Sequence, residues 1–210
     1  MELHLWLTFV AASTALLLIP GPTILLVLSY ALSQGRRVAV ASATGVALGD
    51  FIAMSASLAG LGALVLTSAT LFSVLKWVGA AYLIWMGIKL LRSAPGGGLA
   101  MPDAPGAIAP RAVFGHAAAV TALNPKSIAF FIAFVPQFLR PDAPLLPQFA
   151  ILIATFVALA TLNALAYALL ADRLRATIAR PGVITGLTRS GGVALIAMGI
   201  MTATLRRATP

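Results

Sequence analysis

Apolar residues fill this chain in runs too long for the one-sided pattern of soluble helices, and most charged positions fall in the breaks between them. Runs of about 18 or more such residues are the mark of transmembrane helices, and six can be placed. The first runs from Leu3 to Ser33, interrupted at Pro20, Gly21 and Pro22. The second runs from Val38 to Leu66 and the third from Leu71 to Leu91. The fourth runs from Ala112 to Leu139 with Asn124-Pro125 inside it. The fifth lies between Leu145 and Ala171, and the sixth is short, from roughly Gly191 to Leu205, with room for a start a few residues earlier. Pro and Gly crowd the stretch after the third run, the composition of a flexible linker. The chain therefore divides into a three-helix unit at 1–92, a cytoplasmic linker at 93–111 and a second three-helix unit at 112–210.

The two units look alike. Gly79 to Ile88 (GAAYLIWMGI) and Gly191 to Ile200 (GGVALIAMGI) align without gaps and share two glycines, Leu, Met and two isoleucines. The first and fourth spans are each broken at proline. Three spans per unit is an odd number, so the second unit must sit inverted in the membrane. The expected fold is an all-α integral membrane protein of two inverted three-helix repeats, with helices 1 and 4 broken. Many secondary transporters share this layout and bind substrate near the midplane.

Composition narrows the function. The chain is 60% hydrophobic and 9% charged, whereas about 25% charged residues is usual for a soluble domain. The net charge of +9 is topogenic and does not indicate nucleic acid, because most basic residues sit in short loops. Arg36, Arg37, Lys89, Arg92, Arg111, Arg173, Arg175, Arg180 and Arg189 fall in odd loops, against Lys76, Arg140, Arg206 and Arg207 on the other side. That bias puts the odd loops in the cytoplasm and both termini outside. The N-terminus lacks the basic region of a cleaved signal, so the first segment is expected to be a retained span. Without cysteine there is no disulfide or thiolate metal site, and His4 and His116 cannot build a metal relay. Neither a catalytic set nor a cofactor-binding motif can be assembled, which argues against an enzyme.

The candidate chemistry lies at the breaks. Pro22 and Asp50 lie fifteen and thirteen residues from Arg37, and Lys126 lies fourteen from Arg140. At ~1.5 Å per residue each falls roughly 20 Å inward, near the middle of a ~30 Å apolar core. Asn124-Pro125-Lys126 has the chemistry of a helix start, with Asn as N-cap and Pro in the first helical position; Gly21-Pro22 follows the same logic. Each break would point the positive end of a half-helix inward, a place for a carboxylate, and Lys126 adds a full charge. Asp50 has two open roles, pairing with a substrate ammonium or carrying a proton, beside the bland one of a structural pair with Lys126. Asn163 occupies the fifth span where Asp50 occupies the second, as helix–helix bond or ligand contact. Gly45 and Gly49 suit close helix packing. Thr14, Ser29, Tyr30, Thr121 and Tyr167 are candidate pathway positions, and Pro136-Gln137 suggests a further local break.

IPGPTILLVLSYALSQGRRVAVASATGVALGD (19–50) and TALNPKSIAFFIAFVPQF (121–138) resemble the two signature regions of the lysine exporter superfamily, which includes the homoserine/threonine efflux proteins. The resemblance covers essentially the full length. It implies export of amino acids or close derivatives across the bacterial inner membrane, in antiport with protons, by a homodimer. It points to Pro20, Gly21, Pro22, Gly49, Asp50, Asn124, Pro125 and Lys126 as functional positions. The expectation is a secondary exporter of zwitterionic amino acids working by alternating access, with no cofactor. An exporter of another solute or ion, or a non-transporting membrane subunit, is the alternative.

Overall fold

The computed structural model describes residues 1–19, 21–67, 69–92, 108–140, 143–171 and 181–204; Pro20 and most of the expected linker lie outside the described residues. Every regular element among them is helical: α1 (Leu3–Leu18), α2 (Pro22–Gln34), α3 (Arg36–Thr67), α4 (Ala69–Arg92), α5 (Pro110–Ala122), α6 (Pro125–Ala133), a 3-10 turn (Val135–Phe138), α7 (Leu145–Leu169) and α8 (Pro181–Thr204). Four helices are long and apolar enough to cross a membrane. Two bent pairs, α1 with α2 at 57° and α5 with the α6 segment at 45°, bring the total to six if each pair is one span.

Local chemistry sets these boundaries. Pro22, Pro110 and Pro125 occupy first-turn positions, where a missing N–H costs nothing. Gly35 ends α2 at φ +78°, a backbone region that side-chain-bearing residues avoid, and lets α3 start at once. The sixth helix departs from expectation. It begins at Pro181, well before Gly191, because proline opens a helix readily and the exposed Arg189 and Ser190 interrupt the apolar run without interrupting the helix. Apolarity marks where a helix is buried in lipid, not where it begins.

The core has two textures. Phe9 on α1, Phe130 and Phe131 on α6, Phe134 at the C-cap of α6, Phe138 in the 3-10 turn and Phe156 on α7 form one aromatic cluster with centroid spacings of 4.8 to 6.0 Å. Toward the Gly35 end the filling shrinks to Val27, Ala39, Ala43, Val46, Ala117, Ala164 and Ala168. Small side chains there allow α3 to press on α5. A Cβ at Gly45 would lie 2.3 Å from the Phe114 carbonyl oxygen, and one at Gly49 2.5 Å from that of Ala118.

Helices α4 and α8 are packed antiparallel in a reciprocal way. A Cβ on Gly87 would fall 2.7 Å from Ile196 Cγ1, and one on Gly199 would fall 2.6 Å from Ile84 Cγ1. The same two Cβ positions would lie 2.6 and 2.8 Å from the carbonyl oxygens of Gly192 and Ala80. Gly87 and Gly199, Ile84 and Ile196, and Ala80 and Gly192 are the pairs that the sequence alignment equates. Exchanging the two helices therefore maps these contacts onto each other.

Candidate functional site

The two broken spans lie side by side, antiparallel, and are joined by polar rungs from end to end. Arg140 Nη1 donates to Glu2 Oε1 at 2.7 Å at one end. Lys126 Nζ donates to the carbonyls of Leu16 and Ile19 at 3.1 and 3.0 Å, and Asn124 Nδ2 donates to Thr23 Oγ1 at 3.1 Å. Tyr30 Oη shares a 2.8 Å hydrogen bond with His116 Nδ1, and Ile108 N–H donates to Gln34 Oε1 at 3.2 Å. Along the first span the rungs advance from residue 2 to 34 while partners recede from 140 to 108. The middle of this ladder is the layer where both helices break.

Asn124 caps α6, its side-chain oxygen accepting the Lys126 N–H at 3.1 Å. Gly21 precedes Pro22 at the start of α2 with no side-chain cap. Of the two half-helix N-termini, that of α2 thus retains uncapped N–H groups, and an unscreened helix start favours an anion. Gly21 also leaves room beside the lysine, since a Cβ there would stand 3.4 Å from Lys126 Nζ.

The lysine itself serves the opposite helix end. Its ammonium sits on the last carbonyls of α1, where the helix dipole is negative. Asn163, on α7, donates to the Leu17 carbonyl at 3.1 Å, so α1 ends on donors from two other helices. Asp50 is buried, 3% exposed. Among the described residues it makes no direct ion pair or hydrogen bond; Lys126 acts on it electrostatically across the site. The alternative of a direct structural Asp50–Lys126 pair is not what this conformation contains.

Among the remaining positions named from sequence, Thr121 reaches Thr23 hydroxyl to hydroxyl at 3.5 Å. Tyr30 is a rung, and Tyr167 packs near Ile24 and Leu28. Gln137 lies in the 3-10 turn and donates to Thr202 Oγ1 at 2.6 Å. Sequence reasoning missed Thr23. Its signal was positional, because Thr23 follows Pro22 as Lys126 follows Pro125, in the same turn of an equivalent half-helix. Exposed residues adjoin the buried ones here: Pro22 precedes the buried Thr23, and Leu123 (75% exposed) and Pro125 flank the buried Asn124.

Comparison with known proteins agrees with this architecture. The profile of the LysE type translocator family matches residues 14–206. The chain is 36% identical to the homoserine/homoserine lactone efflux protein of Salmonella typhimurium, over 99% of this chain and 100% of that one. It is 32% identical to an uncharacterized membrane protein of Vibrio cholerae serotype O1, over 98% and 100% respectively. It is also 33% identical to the leucine efflux protein of Enterobacter sp. (strain 638), over 67% of this chain and 66% of that one. No solved structure matches.

Proposed function

Because the chain belongs to the LysE type translocator family of membrane proteins, we propose that it exports amino acids or close derivatives from the cytoplasm as a secondary-active carrier. The observation that carries this reading is the buried polar layer at the meeting of the two helix breaks. There an uncapped helix start, a lysine ammonium and an unpartnered carboxylate lie together. These opposite charges suit a zwitterion. The substrate carboxylate docks at the N-terminus of α2, beside Gly21 and Lys126, and Asp50 takes the ammonium or the coupled proton. Names of the relatives, homoserine and leucine efflux proteins, support the substrate class.

In this mechanism the two three-helix units are inverted repeats that rock against each other around the layer, the reciprocal α4–α8 contact being the joint. The rungs between the broken spans must exchange as access alternates. The carrier resides in the inner membrane as a homodimer, with both termini outside, and exchanges substrate for protons. Cells expressing the protein and loaded with amino acids by dipeptide feeding test the reading. Faster external appearance of one or a few amino acids, lost in Asp50→Asn, is expected. Export unaffected by any amino acid competitor would shift the substrate to another solute class.

A further inference from the structure

Helix α4 has one covered face and one open face. Ala80, Leu83 and Gly87 are buried, and Gly87 is packed against α8. On the other side Val74, Val78, Ala81, Trp85, Ile88 and Arg92 are exposed, at the three- and four-residue spacing of a single helix face. In a membrane span such a face meets lipid. Its last turns are shaped, however: Trp85, Ile88, Lys89 and Arg92 line an open cavity of about 390 Å³, within the ~300–1,000 Å³ of small-molecule sites. The Lys89 ammonium lies over the Trp85 ring, 5.3 Å from its centroid, and the Tyr82 ring stands 5.5 Å from the same tryptophan. Among the described residues no carboxylate pairs with Arg92.

Depth assigns these groups to different media. The apolar span ends at Arg92, so Lys89 and Arg92 stand at the level of lipid headgroups. Trp85 lies seven residues before Arg92, roughly 10 Å deeper, where the acyl chains begin. Topogenic charge and the negative end of a helix both favour basic residues here, but neither calls for a cavity with an aromatic and aliphatic floor. The repeated helix sharpens the point. Aligned with α4, α8 keeps the packing glycines and isoleucines, yet Ala197, Met201 and Thr204 stand where α4 has Trp85, Lys89 and Arg92. The contact between the two helices therefore does not require this set.

We propose that the cavity binds an anionic phospholipid, with Arg92 and Lys89 on its phosphate and an acyl chain against Trp85, Ile88 and the open face of α4. A guanidinium takes two phosphate oxygens in a fork and an ammonium acts as a point charge. Stacking on Trp85 positions Lys89 without neutralising it. Basic pockets beside membrane helices select anionic headgroups in this way, and the apolar floor commits the site to a lipid over a free anion. Helix α4 supplies no residue to the polar layer described above, so the site does not depend on which solute the protein moves.

Full-length protein with Trp6→Phe and Trp77→Phe keeps Trp85 as its single tryptophan. In vesicles of mixed phosphatidylcholine and phosphatidylglycerol, bromine on the acyl chains of one lipid at a time quenches Trp85 according to that lipid's occupancy beside it. Phosphatidylglycerol is expected to be enriched about fivefold or more over phosphatidylcholine. Arg92→Gln should lower that ratio, Lys89→Gln/Arg92→Gln should bring it close to one, and Lys89→Arg should keep it. A companion protein with Trp77 as the single tryptophan, eight residues nearer the other end of α4, should show no enrichment. Equal enrichment at both tryptophans, the sign of diffuse attraction, overturns the site, as does an undiminished ratio in the double variant. So does a ratio of one in the chain with Lys89 and Arg92 intact, the result expected if the chain's own 93–107 segment fills the cavity. Abolition of the enrichment by inorganic phosphate at constant ionic strength would also overturn it, as the mark of a site for the free anion.

Discussion

Replacing Lys126 with methionine keeps an unbranched side chain only one atom shorter and removes its charge and donors. Two consequences follow. The Ile19 carbonyl loses its donor, while the Leu16 carbonyl retains only the Ile19 N–H at 3.3 Å. Hydrogen bonds to charged groups contribute about 1.5–3 kcal/mol. Asp50, already without a hydrogen bond, also loses the cation that acts on it across the site, which leaves a buried carboxylate uncompensated at a cost of up to several kcal/mol. The two effects overlap, so a total of roughly 3–5 kcal/mol is expected. At about 2–4 °C per kcal/mol for a chain of this size, the melting temperature should fall by roughly 6–20 °C. Thermal unfolding of detergent-purified protein measures it. The double variant Lys126→Met/Asp50→Asn separates the causes: removing the second charge should recover part of the loss but not the part due to uncapped α1 carbonyls. Lys126→Met melting within about 3 °C of wild type would refute the claim that this lysine closes the end of α1.

Other substitutions probe the packing that holds the layer. Gly49→Ala places a Cβ 2.5 Å from the Ala118 carbonyl oxygen and 2.6 Å from Thr121 Cβ. It should cost about 1–3 kcal/mol or more by forcing α3 off α5, and with it transport. Gly60→Ala meets open space and should stabilise α3 by up to about 1 kcal/mol; the two variants are compared by melting temperature. Gly87→Ala and Gly199→Ala meet Ile196 and Ile84 at 2.7 and 2.6 Å, so their losses of melting temperature should be alike. A large cost for one and none for the other would break the reciprocity of α4 and α8.

Much of the architecture was legible in the chain. Apolar runs located the long helices, four of which are long and apolar enough to cross a membrane, because a lipid-facing helix has no other way to be soluble in its surroundings. Proline and its neighbours located the breaks at Pro22 and Pro125, because cap chemistry is local in sequence. The start of α8 was not legible from hydropathy, since its first turns carry Arg189 and Ser190. The partners of Lys126 were hidden for a different reason: its acceptors are backbone carbonyls of Leu16 and Ile19, and a carbonyl leaves no mark on residue type. Thr23 was equally quiet. A threonine in an apolar helix is common, and it acquired meaning only when the fold placed Asn124 and Thr121 beside it.

The central claim, that the layer around Asp50 moves amino acids, is tested most directly with purified protein in liposomes. Vesicles loaded with labelled leucine or homoserine would be followed for release, with and without an imposed proton gradient, beside Asp50→Asn protein incorporated to the same level. The account expects release above protein-free vesicles, accelerated by the gradient and abolished by the substitution. Release that persists at the wild-type rate in Asp50→Asn would contradict it.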